Sequence, residues 1–416
     1  MRKIFFVLLI ILLLISFSGC VLIPIQGSLL KPYLIRTAED LEKVKLNRES
    51  HYKQIADIDL SEYENWESIK SFSGRYDGNG FKITNLKINK KSDYTGLFTS
   101  ISSSGEILNV VIENIDIKGN YYVGGIAGWN SGKIWNSKAS GNINGNSSVG
   151  GIAGYNIGEI INSEVNGNIY GSFQVGGVVG YNHAKYWIGE KKDFFGVVKN
   201  CYSEVIVEGY ENIGALIGEN TGIAENNRAN GKAIGKNYVG GLIGYALRNV
   251  TKNNMSNVEV KATGKDVGGL IGLTSASIEN SYAIGDVTGS ENVGGLVGKL
   301  ISSRIVNSFS NNTVTGEKVL GGVIGYSSHG VIKNCYSVGA VKSFSDTDEK
   351  GAFFGIGFVI IENSYYDLEK SETSDEYAIG KSTLEMMKKE TFVEWDFESI
   401  WDINERKSYP FLREVI

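Results

Sequence analysis

Histidine and cysteine are nearly absent from this sequence, with three of each in 416 residues. His51, His183 and His329 lie far apart and no Cys or His stands at ligand spacing, so the chain carries no metal signature and no cofactor motif. A basic excess is missing too: a net charge of −5 gives no electrostatic footprint for nucleic acid. Proline numbers three against 53 glycines, and a helical 3.6-residue pattern is almost lacking. Disorder is excluded by composition, since 42% of residues are hydrophobic and 21% charged. The length allows two or three ordinary domains or one long repetitive one.

The first twenty residues, "MRKIFFVLLIILLLISFSGC", join Arg2 and Lys3 to an apolar run that ends in small residues, the order of a signal peptide. The closing "SFSGC" resembles the lipobox of bacterial lipoproteins. That resemblance implies cleavage after residue 19 and a lipid on the Cys20 thiol. An uncleaved membrane anchor is the alternative, because apolar character continues through "VLIPI" toward the roughly 20 residues that span a bilayer. In either case the remainder of the chain is expected outside the cytoplasm, beside a membrane.

That remainder repeats. Glycine pairs begin at Gly124, Gly150, Gly176, Gly240, Gly268, Gly294 and Gly321, with weaker copies at Gly214 and Gly351. The steps are 26, 26, 38, 26, 28, 26, 27 and 30 residues. A companion "I-x-N-S" recurs at Asn136, Asn162, Asn200, Asn226, Asn280, Asn307, Asn334 and Asn363. Periods of this size mark solenoids, propellers or arrays, and about 26 residues is too short for a four-stranded propeller blade. Three short strands per period fit a parallel β-helix, about ten coils stacked at ~4.8 Å each. Stacking would align Ile126, Ile152, Val178, Leu242, Leu270, Leu296 and Val323 as an apolar ladder. The glycines would permit tight corners and positive φ. The recurring Asn would either stack as an amide ladder inside the coil or occupy a left-handed corner. Val123 and Ile126 have opposite parity, so a bend is expected at the glycine pair.

The unit "V-G-G-[ILV]-[AVI]-G" followed by "I-x-N-S" resembles the GLUG motif of bacterial surface proteins. "IRTAEDLEKV" (35–44), "YKQIADIDLS" (52–61), "WESIKSFSGRYDGNGFKITNLKI" (66–88) and "GLFTSISSSGEILNVVI" (96–112) are similar to the segment that leads into such repeats. "FESIWDINERKSYPFL" (397–412) is similar to their closing segment. The resemblance implies an all-β parallel β-helix on a cell-surface protein of adhesin type, and it supplies no catalytic residues. The expected organisation is a lipoprotein signal over 1–19, a lipidated tether over 20–34, a leading cap over 35–95, repeats over 96–366 and a closing cap over 367–416. Thr37, Asp40, Leu41 and Val44 predict a short N-terminal helix. A second helix is expected over 381–392, with Trp395, Phe397, Trp401 and Phe411 as apolar plugs.

Catalytic chemistry is hard to place on this pattern. Polysaccharide-cleaving β-helices need a carboxylate pair on one face, whereas the repeating positions here hold Ser, Asn, Gly and Tyr. Asp57 and Asp59 read as a solvated strand, and "DGNG" (77–80) as a tight turn. Cys201 and Cys335 share one repeat phase five coils apart, ~24 Å at one strand spacing per coil, too far for a disulfide. The best candidate for specificity is the one long insertion, within 182–196, which holds His183, Tyr186, Trp187, Lys191, Lys192, Phe194 and Phe195. Insertions in a solenoid often form its binding surface, and aromatics beside cations suit a sugar or an anionic glycan. The same aromatics could instead pack the loop onto its coil. Two further stripes, Trp129, Tyr155, Tyr181, Tyr245, Tyr326 and Tyr202, Tyr282, Phe309, Tyr336, Tyr365, read as packing ladders.

These readings converge on a lipid-anchored, surface-exposed β-helix that binds a glycan or a protein of a host or neighbouring cell without catalysis. A polysaccharide-degrading enzyme is the alternative, and a structural envelope component the third reading.

Overall fold

The computed structural model describes residues 25–185, 194–345 and 349–413. It is a parallel β-solenoid of about 11 turns. Cys20 and the signal sequence lie outside the described residues, as do Tyr186, Trp187, Lys191 and Lys192 of the insertion.

One coil explains the others. Strand Tyr121–Gly124 belongs to a first sheet of nine strands, while Ala127–Asn130 and Lys133–Trp135 both lie in a second sheet of 21. Strand Lys138–Asn144 closes the turn in a third sheet. The next coil repeats each strand in parallel register, pairing Val123 with Val149, Trp129 with Tyr155, Ile134 with Ile160 and Ile143 with Ile169. Val123, Ile126, Ile134 and Ile143 fill the interior, all at most 2% exposed. The leading segment belongs to the same stack, since Tyr33–Ile35 pairs with His51–Gln54, which pairs with Arg75–Asp77.

The bend expected at the glycine pair is present. One strand stops at Gly124 and the next starts at Ala127, which lets both Val123 and Ile126 face inward. The glycines serve close approach and not positive φ. A Cβ on Gly125 would lie 2.4 Å from the carbonyl oxygen of Gly151 in the next coil, and one on Gly124 2.2 Å from that of Ala127.

The recurring asparagine takes the left-handed corner, and its amide ladder runs along the outside of the coil, not the inside as the other alternative had it. Asn136, Asn162, Asn200 and their equivalents adopt φ between +45° and +56°. They also hydrogen-bond to one another along the axis, Asn162 Nδ2 donating to Asn136 Oδ1 at 3.1 Å and Asn200 Nδ2 to Asn162 Oδ1 at 3.0 Å. A second ladder is fully buried. Asn130 donates to Asn156, Asn156 to Asn182 and Asn182 to Asn220, at 2.8, 2.8 and 2.7 Å. Oδ1 of Asn130 and of Asn156 each also accepts a turn amide, from Gly132 at 3.1 Å and from Gly158 at 3.2 Å.

Cys201 and Cys335 are both free and buried. They stand in the column of Ser137, Ser163, Ser281, Ser308 and Ser364, and the Cys201 thiol bonds to the carbonyl two residues back, as the Ser137 hydroxyl does. Burial pushes both thiols up to about 12.

Helix α1 (Ala38–Lys43) forms where expected, with the Thr37 hydroxyl accepting from the Asp40 amide. The C-terminal helix is shorter than expected. Helix α2 covers Thr383–Met386 under a Ser382–Glu385 capping box. The Thr391 hydroxyl donates to the Glu385 carbonyl at 2.6 Å, occupying an acceptor that a longer helix would use. Trp395, Phe397 and Trp401 are buried, but they pack on the outer face of the third sheet against Phe309, Tyr336 and Tyr365, in a cluster separate from the interior. Phe411 stays 39% exposed, and Leu412 takes the inward position instead.

The inner ladder makes a prediction. Asn156→Ala strands the buried Gly158 amide and leaves Asn130 Nδ2 with only its two 3.4 Å contacts to the Gly132 and Glu159 carbonyls, and should lower unfolding free energy by about 2–3 kcal/mol, from ~1–3 kcal/mol per stranded group. Asn162→Gly, at φ +52° on the exposed ladder, should change it by less than about 1 kcal/mol. Urea unfolding of the two variants compares these values directly.

Candidate functional site

The corner between the first and second sheets carries two columns of outward side chains. The first comprises Tyr94, Tyr122, Ser148, Gln174, Asn212, Tyr238, Asp266, Asn292 and Val319, all with φ between +54° and +60°. Left-handed backbone at non-glycine residues is costly, yet each of these coils repeats it. The second column follows from strand register: Trp129, Tyr155, Tyr181, Glu219, Tyr245, Leu273, Lys299 and Tyr326. The two columns touch. Tyr122 lies 5.7 Å from Trp129 and 5.6 Å from Tyr155, and Tyr238 lies 5.8 Å from Tyr245.

The N-terminal half of this strip is aromatic. Tyr94 stacks on Tyr122 at 5.1 Å and Trp129 on Tyr155 at 3.9 Å, and Tyr155 meets Tyr181 edge-on at 5.3 Å. Tyr181 in turn contacts the His183 ring at 5.0 Å. Hydrogen bonds fix the rings: Trp129 Nε1 donates to Ser131 Oγ at 2.7 Å, and Tyr181 Oη lies 2.7 Å from His183 Nδ1. Tyr94 is 42% exposed and Tyr122, Trp129, Tyr155 and Tyr181 are half-buried. A cavity of about 560 Å³, lined by Lys70, Asp93, Tyr94, Trp129 and Ser131, opens beside the strip.

The two aromatic stripes therefore differ. Tyr282, Phe309 and Tyr336 stack with ring planes within 6° and lie in the C-terminal cluster, a packing ladder as expected. The Trp129 stripe, for which the same role was expected, remains at the surface.

The insertion begins where the strip's aromatic half ends. Ala184–Lys185 pairs antiparallel with Phe194–Phe195, so the two ends of the insertion meet in a short antiparallel pair. The base of the insertion is fastened by Gly196 N–H to the His183 carbonyl at 2.9 Å and by Asn182 Nδ2 to the Gly196 carbonyl at 3.0 Å. Of the residues singled out in sequence, His183 thus joins the strip and Phe194 and Phe195 form the second strand of that pair.

Two acidic residues on the strip went unnoticed in sequence. Glu219 interrupts the second column between Tyr181 and Tyr245. Burial raises its carboxyl above the ordinary range, against the lowering effect of amide hydrogen bonds from Gln174 and Asn212. Asp266 interrupts the first column, 1% exposed, and is raised by burial against a hydrogen bond from Asn292. The available signal was an acid at a repeat position that holds aromatics or amides in neighbouring coils. Asp57 and Asp59 are structural acceptors, for the Lys82 amide and for Ser61 and Asn85. Asp77 accepts from the Asn79 amide within a tight turn. Among the described residues no group of three or more His, Cys, Asp or Glu could hold a metal ion.

The fold and the repeating corner define a parallel β-solenoid built from glycine-pair coils. Residues 119–144, 263–288 and 289–315 match the family model of the GLUG motif, so the chain carries GLUG-motif repeats. It is 29% identical over 139 residues to halomucin of Haloquadratum walsbyi, covering 28% of this chain and 2% of halomucin. It is 34% identical over 131 residues to a provisionally named Gly-rich membrane protein of Evansella cellulosilytica, covering 27% of this chain and 15% of that one. The chain thus spans only a small part of the length of these relatives. A crystal structure of a Bacteroides ovatus protein, provisionally named an immunoglobulin A1 protease, aligns over 93% of this chain and 94% of its own at 20% identity and a TM-score of 0.34.

Asp266 gives a pH-dependent prediction. Its raised folded-state pKa means that the native state holds the proton more tightly than the unfolded chain, so stability falls as pH rises through that window. Asn occupies the same column at 212 and 292. Asp266→Asn should therefore raise the melting temperature at pH 7 by about 1–3 °C. The gain should shrink as pH falls and vanish below the ordinary Asp value of ~3.9, where the carboxyl is protonated in both states. Thermal melts at the two pH values measure the difference.

Proposed function

We propose that this protein is an extracytoplasmic β-solenoid, held to the cell envelope by lipid on Cys20, that binds glycan without cleaving it. The observation that carries the reading is the continuous run of half-exposed rings from Tyr94 through Tyr122, Trp129 and Tyr155 to Tyr181, ending at the base of the 182–196 insertion. Sugar rings present C–H faces that stack on aromatic rings, and rigid rings lose little entropy when they bind. Rungs one strand separation apart, ~4.8 Å, offer successive contacts along an extended chain. The sequence candidates Tyr186, Trp187, Lys191 and Lys192 belong to the same proposed binding set. The names halomucin and Gly-rich membrane protein among the relatives support placement at the cell envelope. Among the described residues no helix is long and apolar enough to cross a membrane.

The second reading, a polysaccharide-degrading enzyme, is favoured by Glu219, a half-exposed acid with a raised pKa on the strip. A glycosidase needs two carboxyl groups that flank the scissile bond. The other raised acid, Asp266, is buried and bonded to Asn292, so it cannot reach a substrate. Binding without turnover is the reading this arrangement supports.

Incubation with a panel of immobilised polysaccharides, scoring retained protein and new chain ends in the same tubes, tests it. Retention without new ends is expected. Trp129→Ala or Tyr155→Ala should each weaken retention about tenfold, ~1.4 kcal/mol. New chain ends, or full retention by both variants, would overturn the proposal.

A further inference from the structure

Resting on the glycan reading, we infer that Glu219 makes the strip selective for neutral sugars and turns away those that carry a carboxylate, sulfate or phosphate. Register places it as a rung of the ladder, directly between Tyr181 and Tyr245. Its orientation is set from the adjoining column: Gln174 Nε2 donates to Oε2 at 2.8 Å, and Asn212 Nδ2 donates to the same oxygen at 2.9 Å. The second oxygen, Oε1, accepts no hydrogen bond from the described residues, and the side chain is half-exposed. One oxygen is therefore fixed and the other is open to a ligand seated on the flanking rings.

Among the described residues the charge has no ion-pair partner, and both of its hydrogen-bond donors are neutral amides. Arg248 acts electrostatically on Tyr181, and Lys299 stands three rungs beyond Glu219 in the second column. At the far end of the aromatic run a second acid, Asp93, takes Asn120 Nδ2 at 2.9 Å and the Tyr121 amide at 3.2 Å, again from neutral donors. Lys70 lines the cavity there, at the end of the strip remote from Glu219.

A half-buried carboxylate whose described partners are neutral amides accepts hydroxyl hydrogens well, since hydrogen bonds to an ionised acceptor are about twice as strong as neutral ones. The same carboxylate repels a ligand anion, and partial exclusion of water leaves that repulsion poorly screened. A sugar lying over Tyr181 and Tyr245 would meet Oε1 with its hydroxyls. A uronate at that position would meet it with a like charge.

The test uses the full-length protein on immobilised xylan and on polygalacturonate at equal loading. Wild type should be retained on xylan and pass through polygalacturonate. Glu219→Gln should lose about tenfold on xylan, the loss of one charge-assisted hydrogen bond, and gain about tenfold on polygalacturonate as the repulsion is removed. Glu219→Tyr, which copies the neighbouring rungs, should also gain on polygalacturonate, so the outcome does not rest on one variant's folding; thermal melts accompany both. Wild-type retention on polygalacturonate equal to that on xylan, or an unchanged ratio in both variants, overturns the inference. If Trp129→Ala loses retention while that ratio stays fixed, the glycan reading stands and the role of Glu219 falls. If wild type binds no polysaccharide, both fall.

Discussion

Parallel, in-register stacking of one coil on the next is the constraint on which everything else in this molecule depends. It forces each residue to lie over its counterpart, so a residue choice is tested against copies of itself on both sides. A small apolar residue that fits once fits throughout, which is why the interior is an almost unbroken column of Val, Ile, Leu and Ala. Close approach at the corner admits no Cβ, and the glycine pair answers that requirement. Outward charges obey the same rule, so Lys138 faces Glu164, Lys199 faces Glu225 and Lys232 faces Glu259 across successive coils. These exposed pairs contribute little energy and serve chiefly to avoid like-charge contacts.

Asparagine shows how stacking reuses one residue type for two purposes. On the outside it supplies a left-handed corner and a solvent-facing amide ladder. On the inside, Asn130 and Asn156 satisfy turn amides that would otherwise be buried without partners, and the ladder runs on through Asn182 to Asn220. The inner ladder then gives way to other means. Ala246 and Thr274 follow Asn220 in the same column, and the Thr274 hydroxyl takes over the turn amide of Ala276.

Much of the architecture was legible because a period is a global signal. The glycine spacing, the apolar ladder at Ile126 and its copies, the bend forced by the parity of Val123 and Ile126, and the free cysteines all followed from aligning coils. The remainder depends on contacts that periodicity does not encode. The C-terminal tryptophans look alike whether they close the axis or fold back, and only the outward phase of Tyr336 and Tyr365 decides between them. The left-handed column was hidden because Tyr122, Gln174 and Val319 are poor advertisements for positive φ. Glu219 was passed over because a single acid carries no motif; its meaning comes from the Tyr rungs that register sets on either side. The stripe at Trp129 and the stripe at Tyr336 are equivalent in sequence, and they diverge because the C-terminal segment covers one of them.

The central claim is that register builds the proposed binding strip, rung by rung, so whole coils should be removable units. Excising residues 149–174 deletes one 26-residue step and with it the Tyr155 rung, while excising 267–292 deletes an equal step away from the aromatic half. Both shortened rods should keep a β-sheet circular dichroism spectrum and a cooperative melt, and only the first should lose polysaccharide retention. Collapse of both rods would contradict the register account, and equal retention by the two would contradict the assignment of binding to the aromatic strip.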